Sequence, residues 1–150
     1  MSRKDLLVAL SAAAITASAT AFAADYGTSA EAKAMLEKAV VAMNKDQAAA
    51  LAMFTKGEGG FKDRDLYVFC GGPDGNFTAH PTLTGKSMKD LKDKSAAAKP
   101  IGEEFYKIAQ PGKIGEVSYM FPRAGQTEPV SKVTYITKVG DQVCGVGYYK

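Results

Sequence analysis

Leu66-Tyr67-Val68-Phe69-Cys70, then Gly71-Gly72-Pro73-Asp74-Gly75-Asn76, then Phe77-Thr78-Ala79-His80 and Pro81: this stretch decides the fold. Two short runs rich in aromatic and β-favouring residues flank a segment holding Pro73, Asp74 and Gly75. That is the composition of two strands joined by a turn. Pro81 ends the second run, because proline has no amide to give to a ladder. A hairpin here places antiparallel sheet in the middle of the chain, and the segments on either side read as its partners and its cover.

On the N-terminal side the period changes. Thr28-Ser29-Ala30-Glu31 fits a capping box, with Thr28 as N-cap and Glu31 at the third helical position. Met35, Leu36, Ala39, Val40 and Met43 follow at helical spacing. Asn44-Lys45-Asp46 is a break, and a second helix carrying Ala50, Leu51 and Phe54 runs from Asp46 to near Gly57. Glu58 to Asp65 is a glycine-rich, charged connection. On the C-terminal side, Leu83 to Lys99 has no clean period and reads as a loop with one helical turn. Pro100 to Gln110 is helical, and Pro111-Gly112 stops it. Three strands follow, Gly115 to Phe121, Val130 to Val139 and Gln142 to Tyr149, separated by Arg123 to Pro129 and by Gly140-Asp141. The pattern is α+β: a five-stranded antiparallel sheet with a long N-terminal helix and helices on one face.

At 150 residues this is one domain's worth of chain. Hydrophobic residues make up 46% and charged residues 23%, enough for one modest core. The formal net charge is only +3 and the lysines are interspersed with acids, so no basic stripe points to nucleic acid.

The first residues read as an export leader. Arg3 and Lys4 precede the uncharged run Leu6 to Ala21, and Ala21-Phe22-Ala23 offers an A-x-A cleavage site. The expected organisation is a leader over 1–23 and one domain over 24–150. An uncleaved membrane anchor is the competing reading; the Ala, Ser and Thr content of the run favours cleavage. No second hydrophobic run appears, so a soluble periplasmic protein is expected. Cys70 and Cys144 both fall after the leader, and an even count in an exported chain favours a disulfide over two buried thiols.

Four stretches then resemble the single Cache family, of the second single-Cache type. Asp65 to Phe69 resembles its first strand, and Gly75-Asn76-Phe77-Thr78-Ala79-His80-Pro81 its "G-x-x-x-A-H-P" strand. Leu83-Thr84-Gly85-Lys86 with Asp90-Leu91-Lys92-Asp93 resembles "L-x-G-K…D-L-K-D". Finally, Val117 to Arg123 and Lys132-Val133-Thr134-Tyr135 resemble the family's late-strand motifs. The resemblance spans about Tyr26 to Lys150. It implies a PAS-like five-stranded sheet, a pocket between the sheet and the segments crossing it, and ligands such as acetate, propionate and pyruvate. It also implies that the first and last strands are neighbours, which brings Cys70 and Cys144 together if their Cα atoms lie within about 7 Å. Two departures stand out. Most relatives carry a membrane helix after the domain where this sequence stops at Tyr148-Tyr149-Lys150, and Ser95-Ala96-Ala97-Ala98 stands where relatives often have a tighter glycine-containing turn.

A small carboxylate needs a cation and fixed donors. The candidates are Arg123, Lys132, Tyr119, Tyr135, His80 and Tyr67. Each has a plainer role: Arg123 and Lys132 as surface cations, the tyrosines as sheet packing with Tyr67 in the core, His80 as a neutral hydrogen-bonding residue. A single histidine assembles no multi-histidine metal site, and no cofactor motif is present. The expected function is periplasmic binding or sensing of a small organic anion, without catalysis. Expected partners are the ligand and a membrane receptor or kinase; the expected state is a monomer or weak homodimer. The competing functions are an interaction module with a degenerate pocket and a small hydrolase using His80 as base.

Overall fold

The computed structural model describes residues 24–150; the expected leader over 1–23 lies outside the described residues. The order of elements is α1 (Ser29–Lys45), α2 (Gln47–Lys56), β1 (Lys62–Asp63), β2 (Leu66–Gly71), β3 (Phe77–Ala79), α3 (Ile101–Ile108), β4 (Gly115–Pro122), β5 (Pro129–Val139) and β6 (Gln142–Tyr149). No described helix is long and apolar enough to cross a membrane.

Helix α1 starts as its sequence dictates. The Thr28 hydroxyl accepts from the Glu31 amide, and Glu31 Oε2 accepts from the Thr28 amide at 2.8 Å. Ala32, Met35, Leu36, Ala39 and Met43 form the buried stripe. Packing of that stripe, more than helix propensity, holds α1 on the sheet. Asp46 serves both helices: its amide donates to Ala42 O at 3.0 Å, closing α1, and its carboxylate accepts from the Ala49 amide at 3.0 Å, opening α2.

The sheet is antiparallel with the order β1-β2-β6-β5-β4, and β3 pairs with β2 at the same edge as β1. Strand alternation divides it into two faces. Leu66, Val68 and Cys70 of β2, Tyr135 and Val139 of β5, and Cys144 and Val146 of β6 pack under α1 and α2. Phe69, Val117, Tyr119, Ile136 and Val143 face the other way, against Ile101 and Phe105 of α3. Because β3 lies at one edge and β4 at the other, the chain between them must cross this second face. Asp93 fastens the crossing: its Oδ1 accepts from Lys99 N at 2.9 Å and from the Ser95 hydroxyl at 2.7 Å, and its Oδ2 from Met120 N of β4 at 3.2 Å.

Three expectations change. The sheet has six strands, because Lys62–Asp63 turns back at Arg64 and pairs with Leu66–Tyr67. Helices lie on both faces, since α3 is carried over by the crossing. Leu83 to Lys99 contains turns and no α-helix. The neighbourhood of β2 and β6 implied by the resemblance is present. Cys70 and Cys144 are cross-strand partners, 4.1 Å apart at Cα, joined by a disulfide on the α1 face.

Candidate functional site

On the crossed face the central strand carries two glycines, and the side chains of its neighbours close over them. The central strand β6 presents Val143, Gly145, Gly147 and Tyr149 to this side. A Cβ on Gly147 would lie 2.6 Å from Lys132 Cε and 2.7 Å from Thr134 Oγ1; one on Gly145 would lie 2.8 Å from Phe69 Cζ. Larger neighbours therefore lean over a floor without side chains. Tyr67 and Phe69 of β2, Lys132 of β5 and Tyr119 and Phe121 of β4 form the walls, and Leu91 and Phe105 form the roof. Within them the centres of water-sized groups range over about 30 Å³, room for a molecule of a few heavy atoms.

Lys132 dominates the electrostatics. It is 4% exposed, and its Nζ lies 4.7 Å from the Tyr149 ring centre, 5.2 Å from that of Tyr67 and 5.9 Å from that of Phe121. Among the described residues the ion pairs are those of Arg64 with Glu31 and Asp63 and of Arg123 with Asp65, and no acceptor takes a hydrogen bond from Lys132. Burial pulls its pKa down to about 8; Asp65 opposes that pull and the Arg123 charge adds to it.

His80 borders the cavity beside Tyr67 and Phe77, with ring centres 5.1 and 4.9 Å away. Its Nδ1 accepts from the Thr82 amide at 3.0 Å and the Leu83 amide at 3.1 Å, so the neutral ring carries its proton on Nε2. Burial, reinforced by the Lys132 charge, lowers its pKa to about 4 and keeps it neutral. The Tyr67 hydroxyl, raised to about 12 by burial and by Tyr149, also lacks a hydrogen-bond partner among the described residues. No fully enclosed side-chain polar atom among them lacks a partner. The three unpartnered groups, Lys132 Nζ, Tyr67 OH and His80 Nε2, therefore keep contact with open space, and the cavity is the space all three residues border. Every one of them is a donor.

The remaining sequence candidates are placed differently. Tyr119 lines the cavity, with its hydroxyl 2.8 Å from Thr134 Oγ1 and its ionisation suppressed by burial. Tyr135 is on the α1 face, where its hydroxyl meets Ser29 Oγ at 2.7 Å and its ring stacks on Tyr148; it does not reach the cavity. Arg123 does not line it either. Its Nη1 is 3.1 Å from Asp65 Oδ2, and its guanidinium lies over Tyr26 and Tyr149, with ring centres 3.9 and 4.5 Å away. Arg123 and Lys132 thus do not converge on one anion. Sequence reasoning missed Gly145, Gly147 and Tyr149, along with the apolar walls Phe69, Leu91, Phe105 and Phe121. A larger open groove of about 470 Å³ runs between α1 and the start of β4, but no buried charge borders it.

Three solved structures share this architecture. A methyl-accepting chemotaxis protein from Vibrio parahaemolyticus RIMD 2210633 is 23% identical, over 80% of this chain and 86% of its own, with a TM-score of 0.63. A periplasmic sensor domain of a chemotaxis protein is 22% identical, over 78% and 86%, with a TM-score of 0.57. A Cache chemosensory domain described for carboxylic acid recognition is 21% identical, over 78% and 84%, with a TM-score of 0.50. No curated protein matches the chain. The family profile described as Cache domain matches residues 16–149, almost the full sequence, and the chain belongs to the Cache domain family.

Proposed function

We propose that the domain binds a small organic anion, of the size of acetate, propionate or pyruvate, in the cavity bordered by Lys132, Tyr67 and His80. One observation carries this reading: a buried ammonium, Lys132, without an acceptor among the described residues, beside a small, partly open cavity. An uncompensated buried charge is costly unless something pairs with it. A carboxylate supplies the missing charge, and Tyr67 OH and His80 Nε2–H supply donors to its oxygens. Aromatic walls exclude water and limit the ligand's length. The carboxylic acid recognition described for one structural neighbour supports the same ligand class. The chain is a sensing module exported by its leader to the periplasm, with a membrane receptor or kinase as its reader and without catalysis. On this reading Tyr119 supports the site through Thr134, Arg123 stands behind it, and Tyr135 belongs to the core.

The test is a thermal-shift and calorimetric series on residues 24–150 with formate, acetate, propionate and pyruvate, using chloride as the control anion. Ligand at 100 times Kd stabilises the fold by about 2.7 kcal/mol. Lys132→Met is expected to abolish the shift. Failure of every carboxylate to shift the wild-type protein refutes the proposal.

A further inference from the structure

Around Lys132 the charges do not balance. Two cations, Lys132 and Arg123, flank the ring of Tyr149 with centroid distances of 4.7 and 4.5 Å. One carboxylate, Asp65, serves both: it accepts from Arg123 at 3.1 Å, and its field partly restores the proton that burial removes from Lys132. The same carboxylate has a third duty. Its Oδ1 accepts from the Gly27 amide at 2.7 Å, and Tyr26 covers the other side of Arg123 at 3.9 Å. The segment entering α1 is therefore held down by the residues that balance the ligand cation. Gly27 is itself pinned, since a Cβ there would meet Leu66 Cγ at 2.1 Å.

We propose that an anion on Lys132 tightens the N-terminal strap, Ala24 to Thr28, by offsetting the repulsion between Lys132 and Arg123 and so strengthening the hold of Arg123 and Asp65 on Tyr26 and Gly27. This rests on the anion-binding reading and gives that site an output. In the empty site Asp65 pairs with Arg123 while the Lys132 charge acts on both of them. With a carboxylate in the cavity the cluster holds two positive and two negative charges, and the repulsion that Lys132 exerts on Arg123 is offset. Arg123 then settles more firmly against Tyr26, Tyr149 and Asp65, and the Gly27 amide on Asp65 is held more firmly with it. The strap leads directly into the capped start of α1 at Thr28, so the occupancy of the cavity is expressed where the chain enters the domain. Coupling between two sites is reciprocal: if the ligand tightens the strap, loosening the strap weakens the ligand by the same factor.

The experiment measures both directions on residues 24–150 with acetate as probe. Hydrogen exchange followed at the Gly27 amide is expected to slow on saturation with acetate. Tyr26 is half-exposed, so Tyr26→Ala leaves the fold intact; it is expected to weaken acetate binding measurably but by no more than about fivefold, since only the strengthening of this cation–π contact on binding enters the affinity. Tyr26→Phe, which keeps the ring, is expected to restore it. Acetate binding that leaves Gly27 exchange unchanged, or that is equal in wild type and Tyr26→Ala, overturns the coupling while the binding reading stands. Absence of binding by acetate and by every other small carboxylate removes both.

Discussion

Replacing Lys132 by methionine should make the empty domain more stable and unable to bind its ligand. The side chain is 4% exposed, and its pKa is about 8, against an ordinary 10.5. Below pH 8 both folded and unfolded chains carry the charge, and the folded state bears the cost of burying it, about 3 kcal/mol at pH 7. Between pH 8 and 10.5 the unfolded chain binds more proton than the folded one, so stability rises with pH across that window. At pH 9.5 about half of that cost remains. Methionine is unbranched, close in length and suited to an aromatic cage, so it removes the charge without opening a void. Urea denaturation of both proteins at the two pH values reads the difference. Lys132→Met is expected to exceed wild type by about 3 kcal/mol at pH 7, with the advantage falling by about half at pH 9.5. Acetate binding by wild type should weaken as pH rises through 8, where the ammonium is lost; His80, with its pKa near 4, is neutral throughout and contributes nothing to that profile. A variant less stable than wild type at pH 7, or a stability gap that does not change with pH, would refute the view of Lys132 as a buried, uncompensated cation.

Three further outcomes are expected. Gly147→Ala drives a methyl group onto Lys132 Cε and Thr134 Oγ1, so it should cost about 1–3 kcal/mol of stability and at least tenfold in acetate affinity by calorimetry; unchanged affinity would mean that the glycine floor does not shape the site. Reduction of Cys70–Cys144, which closes a loop spanning a separation of 74, should lower stability by up to about 4.5 kcal/mol in denaturant titrations with and without reductant; a loss well under 1 kcal/mol would show that sheet pairing alone aligns β2 and β6. Ala98 has φ of +45°, a left-handed conformation that disfavours any Cβ, so Ala98→Gly should stabilise by about 0.5–1 kcal/mol; a destabilised Ala98→Gly would refute the strain.

Much of the fold was legible because local signals agreed with the tertiary outcome. The capping box at Thr28 and Glu31, the break at Asp46 and the hairpin around Pro73-Asp74-Gly75 are each satisfied within a few residues of chain. The two-residue strand β1 was not, because Lys62–Asp63 is polar and pairs only through its backbone. The placement of α3 was not, because which face a crossing covers depends on where β3 and β4 sit in the sheet. The site divided along the same line. Lys132 and Tyr135 are three residues apart on one strand and must point to opposite faces, so strand parity alone separates Tyr135 from the face that holds Lys132. Arg123 lies at a strand end, where parity ceases to decide, and its pairing with Asp65 and Tyr26 joins parts of the chain far apart in sequence. Gly145 and Gly147 alternate with Cys144, Val146 and Tyr148, so the lining of one face and the vacancy of the other were written in the same five residues. The signal was missed because a glycine suggests what it lacks only when its neighbours across the sheet are known.

The two faces of the sheet answer to different demands, and the residues sort accordingly. Under α1 and α2 the face is closely packed with apolar side chains and bridged by a disulfide, and the polar hydroxyl of Tyr135 that enters it meets Ser29. Across the sheet, three donors beside the cavity have no partner among the described residues. A chain selected for stability alone would replace the lysine by an apolar residue, since that change lowers the free energy of the empty fold. That it carries instead a buried cation, a histidine fixed in one tautomer by two backbone amides and a tyrosine hydroxyl facing open space is the physical argument for a ligand. The disulfide-bridged face is what allows the other to remain unfinished: substitutions under α1 should act on folding, and substitutions around Lys132 on binding, with β6 as the strand common to both.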